Sequence, residues 1–229
     1  MVNPAEQNRM LKEYFSQFVS EHKKEFIDRV LNHRTRYVTI VLEDIYQSHN
    51  ASAVIRTCEC LGLQDIHVIE TSSEWTTNKK VLKGSHKWLD IIRYKKKDAN
   101  NTEECFNQLR KLGYRIAVAD PSADGLSVEE IGLDKPLALV MGNELHGSSG
   151  FALEKADLKI KIPMVGFTES MNISVSAAIC LNSVLSRLRK TEIPWGLLED
   201  EKEMLRLEWY KKVVRRSELL EREFLKAIV

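Results

Sequence analysis

Several large classes are excluded by what the sequence lacks. No apolar run approaches the roughly 18 residues that a membrane-spanning helix needs. The first residues, Met1 to Lys12, are polar and contain no secretory-type apolar stretch, so export is not expected. Only four cysteines occur, Cys58, Cys60, Cys105 and Cys180, and none forms a CxxC pair. The usual zinc and redox spacings are therefore missing. No metal is expected, and the thiols read as reduced, which suits a cytoplasmic protein. No GxGxxG follows the first apolar run, and GxxxxGKS/T, HExxH and GxSxG are also absent. Ordinary dinucleotide-binding, P-loop, zincin and α/β-hydrolase readings fall away with them. There are no repeats or low-complexity tracts. The net charge of the 229 residues is only +1, which by itself selects no partner.

What is present is an alternation. The composition, 43% hydrophobic and 29% charged, is that of an ordinary soluble chain. Residues 3 to about 33 show helical spacing, with Met10, Leu11, Tyr14, Phe15, Phe18 and Val19 on one face and Phe26, Ile27, Val30 and Leu31 after them. Short β-rich runs then recur at Tyr37–Leu42, Ile66–Ile69, Trp88–Tyr94, Arg115–Ala119, Leu137–Met141 and Leu158–Ile162. Between them lie helix candidates. One runs from Asn50 to Leu61 with Gly62 as its stop, one from Thr102 as N-cap to Leu112, and a long one from Met171 to Leu188. Strands alternating with helices predict an α/β fold, a mostly parallel sheet with helices on both faces. After Pro194-Trp-Gly196 the chain becomes a charged amphipathic helical tail, Leu198 to Val229. The expected plan is thus a helical extension over 1–36, a central domain over 37–190 and a second helical extension over 191–229.

Charge is segregated although the total is near zero. Lys79, Lys80, Lys83, Lys87, Arg93, Lys95, Lys96 and Lys97 face a single acid in that stretch, Asp90. Arg29, Arg34 and Arg36 form a second group, and Lys211, Lys212, Arg215 and Arg216 a third. Such runs are either solvated surface or an anion-binding face.

Three segments hold polar residues where strands end or helices begin. Asn50 opens a helix, and Arg56 follows six residues later. Asn50 is either an N-cap or a site residue. Arg56 is either a surface arginine or a phosphate fork. Gly142-Asn-Glu144 follows an apolar strand, and Ser170-Met-Asn172 precedes a Ser/Ala-rich helix. Glu144 could make a structural hydrogen bond, and Ser170 or Asn172 could cap that helix. In parallel sheets, however, ligands bind where strands end and helix N-termini begin.

Taken together, the segments resemble the SpoU family of RNA 2′-O-ribose methyltransferases, within the SPOUT superfamily. Asn50 with Arg56-Thr-Cys and Leu61-Gly62 is similar to the first family motif. Val140-Met-Gly-Asn-Glu-Leu-His-Gly147 is similar to the second. Ile162-Pro-Met with Ser170-Met-Asn-Ile-Ser-Val-Ser-Ala-Ala178 is similar to the third. Gly84-Ser-His-Lys-Trp88 and the Glu201–Arg222 tail look like the TrmH branch, which methylates guanosine 18 of tRNA.

The resemblance implies a trefoil knot in the C-terminal part of the sheet, which would be an exception to the rule against threaded chains. It implies S-adenosylmethionine as cofactor, held by Ala119, Met141, Gly142, Ile162 and Met171, and a homodimer through the knot helices. It implies that Arg56, Asn50, Glu144, Ser170 and Asn172 act at the reacting ribose, with Asn50 and Glu144 positioning Arg56 or the ribose and Glu144 offsetting the arginine's charge. The basic residues Arg34, Arg36, Lys83, Lys87, Lys211, Arg215 and Arg216 are the expected tRNA contacts. Methylation of 23S ribosomal RNA and a catalytically silent RNA-binding protein of the same fold are the competing readings. Phe167-Thr-Glu169 departs from the third motif by placing an acid beside the expected substrate.

Overall fold

The computed structural model describes residues 3–121 and 125–228; Met1, Val2 and Val229, which belong to the two terminal segments read above, lie outside the described residues. By its contacts the chain divides into two units, Thr35–Trp195 and the pair Met1–Arg34 with Gly196–Val229.

The larger unit alternates as its sequence pattern predicts. β1 (Val38–Glu43) is followed by α3 (Ser48–Leu61), β2 (Asp65–Ile69), the single turn α4 (Lys79–Leu82) and β3 (Asp90–Tyr94); α1 (Pro4–Ser16) and α2 (Glu21–Leu31) belong to the other unit. Next come α5 (Asn101–Lys111), β4 (Arg115–Ala119), the two-residue β5 (Leu126–Ser127) and β6 (Leu137–Met141). α6 (Gly150–Lys155), β7 (Leu158–Lys161) and α7 (Ile173–Leu188) complete it. The strands form one sheet in the order β3-β2-β1-β6-β4-β7-β5, and every neighbouring pair is parallel. β1 and β6 are buried along their whole length, as central strands of a sheet covered on both faces should be.

The period of two sorts the core. Ile40, Leu42, Leu137, Leu139 and Met141 face the side packed by Val54, Ile55 and Cys58 of α3 and Leu181, Val184 and Leu188 of α7. Val41, Ala138, Val140, Ile116 and Val118 face the opposite side, packed by Cys105, Phe106 and Leu109 of α5 and Ala152 of α6. Three of the four cysteines are buried in these two layers, and Cys60 is exposed.

Helix ends differ from the sequence reading in ways that matter for the site. α3 begins at Ser48 with Gln47 as N-cap, so Asn50 is a buried residue of the first turn and not the cap. α7 begins at Ile173, and Asn172 is its cap, with its Oδ1 accepting from Ser174 N at 2.8 Å. Asn100 caps α5; Thr102 turns inward and donates to the buried Glu43 carboxylate at 2.7 Å. Ser85–Trp88 is a 3₁₀ turn, so β3 starts two residues after Trp88.

The smaller unit joins the two terminal segments. The N-terminal helical stretch breaks into α1 (Pro4–Ser16) and α2 (Glu21–Leu31), and the tail into α8 (Glu199–Val213) and α9 (Ser217–Ile228). The tail breaks beside Arg216, whose φ of 55° is left-handed and ends a helix. Leu11, Phe15, Ile27, Leu31, Leu205 and Trp209 are buried in this unit. Tyr14 stacks on Phe224 with ring centroids 4.5 Å apart. Arg34 is 1% exposed, its guanidinium lying 5.3 Å over the Trp209 ring. It is a packing residue and is withdrawn from the expected RNA contacts.

Candidate functional site

Parallel strands put their C-terminal ends on one edge. Registers Leu42 with Met141, Val118 with Val140 and Ala119 with Ile160 bring the ends of β1, β6, β4 and β7 level. The loops leaving that edge enclose a cavity of about 510 Å³. That volume lies within the range of small-molecule sites. The five residues expected at the cofactor, Ala119, Met141, Gly142, Ile162 and Met171, all line it. So do Asn50, Glu144, Ser170 and Asn172 of the expected reaction centre.

The loop after β6 is shaped by its own main chain. Asn143 and Gly147 exchange hydrogen bonds of 2.8 and 2.9 Å, and Gly147 takes the left-handed φ of 69° that this tight closure needs. Asn143 Oδ1 accepts from Leu145 N at 2.8 Å and His146 N at 3.2 Å. Gly142 lies against the returning chain so closely that a Cβ there would stand 2.2 Å from Ser148 N. Below the loop, the buried Glu43 accepts from Ser149 N at 2.9 Å and from the Ser149 hydroxyl at 2.8 Å.

Glu144 then reaches from this loop to the start of α3. Its carboxylate accepts from Tyr46 N at 3.0 Å, Gln47 N at 3.2 Å and the Asn50 amide at 2.9 Å. Asn50 passes the chain on, its Oδ1 accepting from Asn172 Nδ2 at 3.1 Å. Glu144, Asn50 and Asn172, 94 and 122 residues apart in their two links, form one line of hydrogen bonds across the cavity wall. Burial opposes ionisation of Glu144, but hydrogen bonds from the Asn50 amide and from main-chain N–H groups outweigh it and hold the carboxyl below its ordinary range.

A depressed carboxyl contributes its anion's hydrogen bonds above the unfolded value, and loses them as pH falls through the lower folded value. The stability that this carboxylate contributes should accordingly be constant from about pH 6 to 8 and fall only in acid, as pH drops below the ordinary carboxyl value of about 4.3. Thermal unfolding of the wild type beside Glu144→Gln across that range checks it; a difference between the two that changes near neutrality would contradict it.

Arg56 stands apart. It is exposed on α3, and among the described residues it has no ion pair. It lines a separate cavity of about 490 Å³, beside Thr57 and Cys60 and next to Ala178 and Asn182 of α7. Glu144 therefore holds Asn50 in this chain, and Arg56 lies outside the line of hydrogen bonds that they form.

The basic candidates also divide. Arg36 is bound by Asp65 and, at 2.8 Å, by Asp90, acids supplied by β2 and β3. Lys211 is bound by Glu221 at 2.6 Å and lies over the Phe15 ring. Both charges are thus already met by the protein's own acids. Lys83 and Lys87 in the larger unit, and Arg215 and Arg216 in the smaller, are exposed and have no ion pair among the described residues.

Other residues at the cavity were not singled out in the sequence. Gln47, Asn143, Asp120, Lys161, Ser176 and Cys180 line it. The asparagine between Gly142 and Glu144 was the available signal, because asparagine closes turns on its own main chain. Burial pushes the Cys180 thiol up to about 12, so this lining side chain stays neutral.

A parallel sheet whose strand ends wrap a cavity in main chain defines a small-molecule-binding α/β domain. Residues 37–182 match the SpoU rRNA Methylase family, and the chain belongs to it. It is 44% identical over 206 residues to a tRNA (guanosine(18)-2'-O)-methyltransferase of Borreliella burgdorferi, covering 90% of this chain and 92% of that protein. Among solved structures, the A. aeolicus TrmH/SpoU tRNA modifying enzyme matches with a TM-score of 0.74 at 28% identity, covering 85% of this chain and 98% of that one. The SpoU methyltransferase AviRb from Streptomyces viridochromogenes, in complex with the cofactor AdoMet, shares the fold at a TM-score of 0.59 and 20% identity, covering 72% of this chain and 62% of that one.

Proposed function

We propose that this chain transfers a methyl group from S-adenosylmethionine to the ribose 2′-hydroxyl of guanosine 18 in tRNA. The observation that carries the reading is the Glu144–Asn50–Asn172 line on the wall of a strand-end cavity. It occurs in a chain that aligns with nearly the whole of a tRNA (guanosine(18)-2'-O)-methyltransferase.

The cavity suits the cofactor. Ile160, Ile162, Met164 and Met171 offer apolar surface for a flat base, and the loop ends at Ala119, Met141 and Gly142 offer main-chain polar groups. When bound, S-adenosylmethionine supplies an activated methyl group. The chain's own residues supply position. Glu144, accepting from three N–H donors, fixes the Asn50 amide. Asn172 ties the start of α7 to Asn50, so the two walls of the cavity keep their spacing. Arg56, outside the cavity, grips the phosphate of the reacting nucleotide with its planar fork. Holding a hydroxyl in line with a methyl donor can by itself account for much of the acceleration.

The reading extends to a trefoil knot around β4, β6 and β7 and to a homodimer through α7. Exposure of the apolar Val175 (47%) on α7 supports the dimer. The tRNA contacts retained are Lys83, Lys87, Arg215 and Arg216. Among the described residues no helix is long and apolar enough to cross a membrane. All four cysteines are free, which fits the reducing cytoplasm to which the reading assigns the protein.

Incubation with methyl-labelled S-adenosylmethionine, total tRNA and ribosomal RNA tests the function. Label in a tRNA ribose is expected; label confined to 23S RNA, or in neither, would refute it.

A further inference from the structure

Asp44, just past β1, joins two parts of the larger unit that its chemistry would need to keep in register. Its φ is 51°, a left-handed value that aspartate tolerates better than most side chains. From there its carboxylate enters the loop that follows β2. Oδ1 accepts from Thr71 N at 2.6 Å, Ser72 N at 2.9 Å and Ser73 N at 3.2 Å, and Oδ2 accepts from the Ser72 hydroxyl at 2.9 Å. Successive N–H groups converging on one oxygen form an anion-binding nest, filled here by the protein's own carboxylate.

The same residue's main chain faces the cavity side. The Asp44 carbonyl accepts from Asn143 Nδ2 at 2.6 Å, and Asn143 shapes the turn that presents Glu144. The nested loop runs on to α4. Asn78 N donates to Ser52 of α3 at 2.7 Å, and Lys79, Lys80 and Lys83 follow, all exposed. α4 packs on α3, the helix that carries both Asn50 and Arg56.

We propose that Asp44 is a positioning residue that fixes the lysines of α4 relative to the Glu144–Asn50 line. A tRNA backbone held at Lys79, Lys80 and Lys83 is thereby delivered in register with the reaction centre. The inference rests on the tRNA methyltransferase reading.

Two substitutions separate backbone from carboxylate. Asp44→Gly keeps the left-handed conformation at no steric cost and empties the nest. Asp44→Asn keeps both the conformation and an oxygen acceptor. Methyl transfer to tRNA is measured for each full-length protein against salt, with S-adenosylmethionine affinity in parallel. For Asp44→Gly the tRNA KM should rise by about tenfold and the slope of log KM against log salt should become shallower by about two, as phosphate contacts are lost. Its kcat should stay within about threefold and its cofactor affinity should not change. Asp44→Asn should restore both KM and slope. A fall in kcat with KM and slope unchanged would mean a merely structural role and overturn the proposal, as would wild-type behaviour of Asp44→Gly. Inactivity of the wild-type protein on tRNA would instead overturn the functional reading itself.

Discussion

Replacing Arg56 with alanine should lower methyl transfer by about a thousandfold, close to 4 kcal/mol of transition-state stabilisation, and leave S-adenosylmethionine binding intact. The two halves of that expectation have separate grounds. The first follows from charge and position. Arg56 is an exposed guanidinium on α3, about 1.7 turns beyond Asn50 in a helix of about 3.6 residues per turn, and no carboxylate among the described residues neutralises it. The contribution expected of a guanidinium is grip on a phosphate through its planar fork. The second half follows from the cavity walls, because Arg56 lines a different cavity from the one that holds Gly142 and Met171. Arg56→Lys should recover little, since a lysine is a point charge and not a fork. Single-turnover assays with tRNA, beside calorimetric titration of the cofactor, make the comparison. Loss of cofactor affinity, or near-normal turnover, would remove Arg56 from the reaction.

Gly142→Ala should be nearly as damaging, by an opposite route. The added Cβ would lie 2.2 Å from Ser148 N, 2.4 Å from Gly147 C and 2.5 Å from Ser148 Cα, all main-chain atoms with no rotamer to yield. The loop cannot shift cheaply either. Asn143 is fastened to the Asp44 carbonyl, and Ser149 to the buried Glu43 carboxylate. Overpacking of this kind costs about 3 kcal/mol, which for a chain of this size lowers Tm by about 6–12 °C. Cofactor affinity should fall by about a hundredfold, because the displaced loop forms the cavity wall. Gly147→Ala is the control. Its φ is 69° but nothing lies within 4 Å of the new Cβ, so only backbone strain of about 1 kcal/mol is expected. Equal effects of the two substitutions on cofactor binding would contradict the account.

The sheet was legible because its central strands β1, β4 and β6 are mainly apolar runs of the right length with glycine or polar residues after them. The two-residue β5 was not, since Leu126-Ser127 is defined only by its pairing with Ile160 and Lys161 of β7. Asn50 was recognisable by motif and misjudged by local rule. An asparagine near a helix start reads as a cap, but here the first turn begins at Ser48 and the amide is needed by Glu144. The basic clusters show the deeper limit. Arg34 and Arg36 sit in a stretch of sequence without acids, yet the indole that covers the one and the carboxylates that bind the other come from Trp209, Asp65 and Asp90. Charge pairing is a property of the folded surface, and a run along the chain does not report it. The position of Arg56 outside the cofactor cavity was equally hidden. Spacing placed it on the same helix as Asn50, and only the helix's orientation on the sheet decides which side chain enters which cavity.

The proposed reaction turns on one oxygen atom, the 2′-hydroxyl of guanosine 18. Two tRNA molecules that differ only by a 2′-deoxyguanosine at that position isolate it. With methyl-labelled S-adenosylmethionine, the all-ribose tRNA should take up label, and the deoxy-substituted one should take up none while still competing for binding. Equal labelling of both would contradict the account.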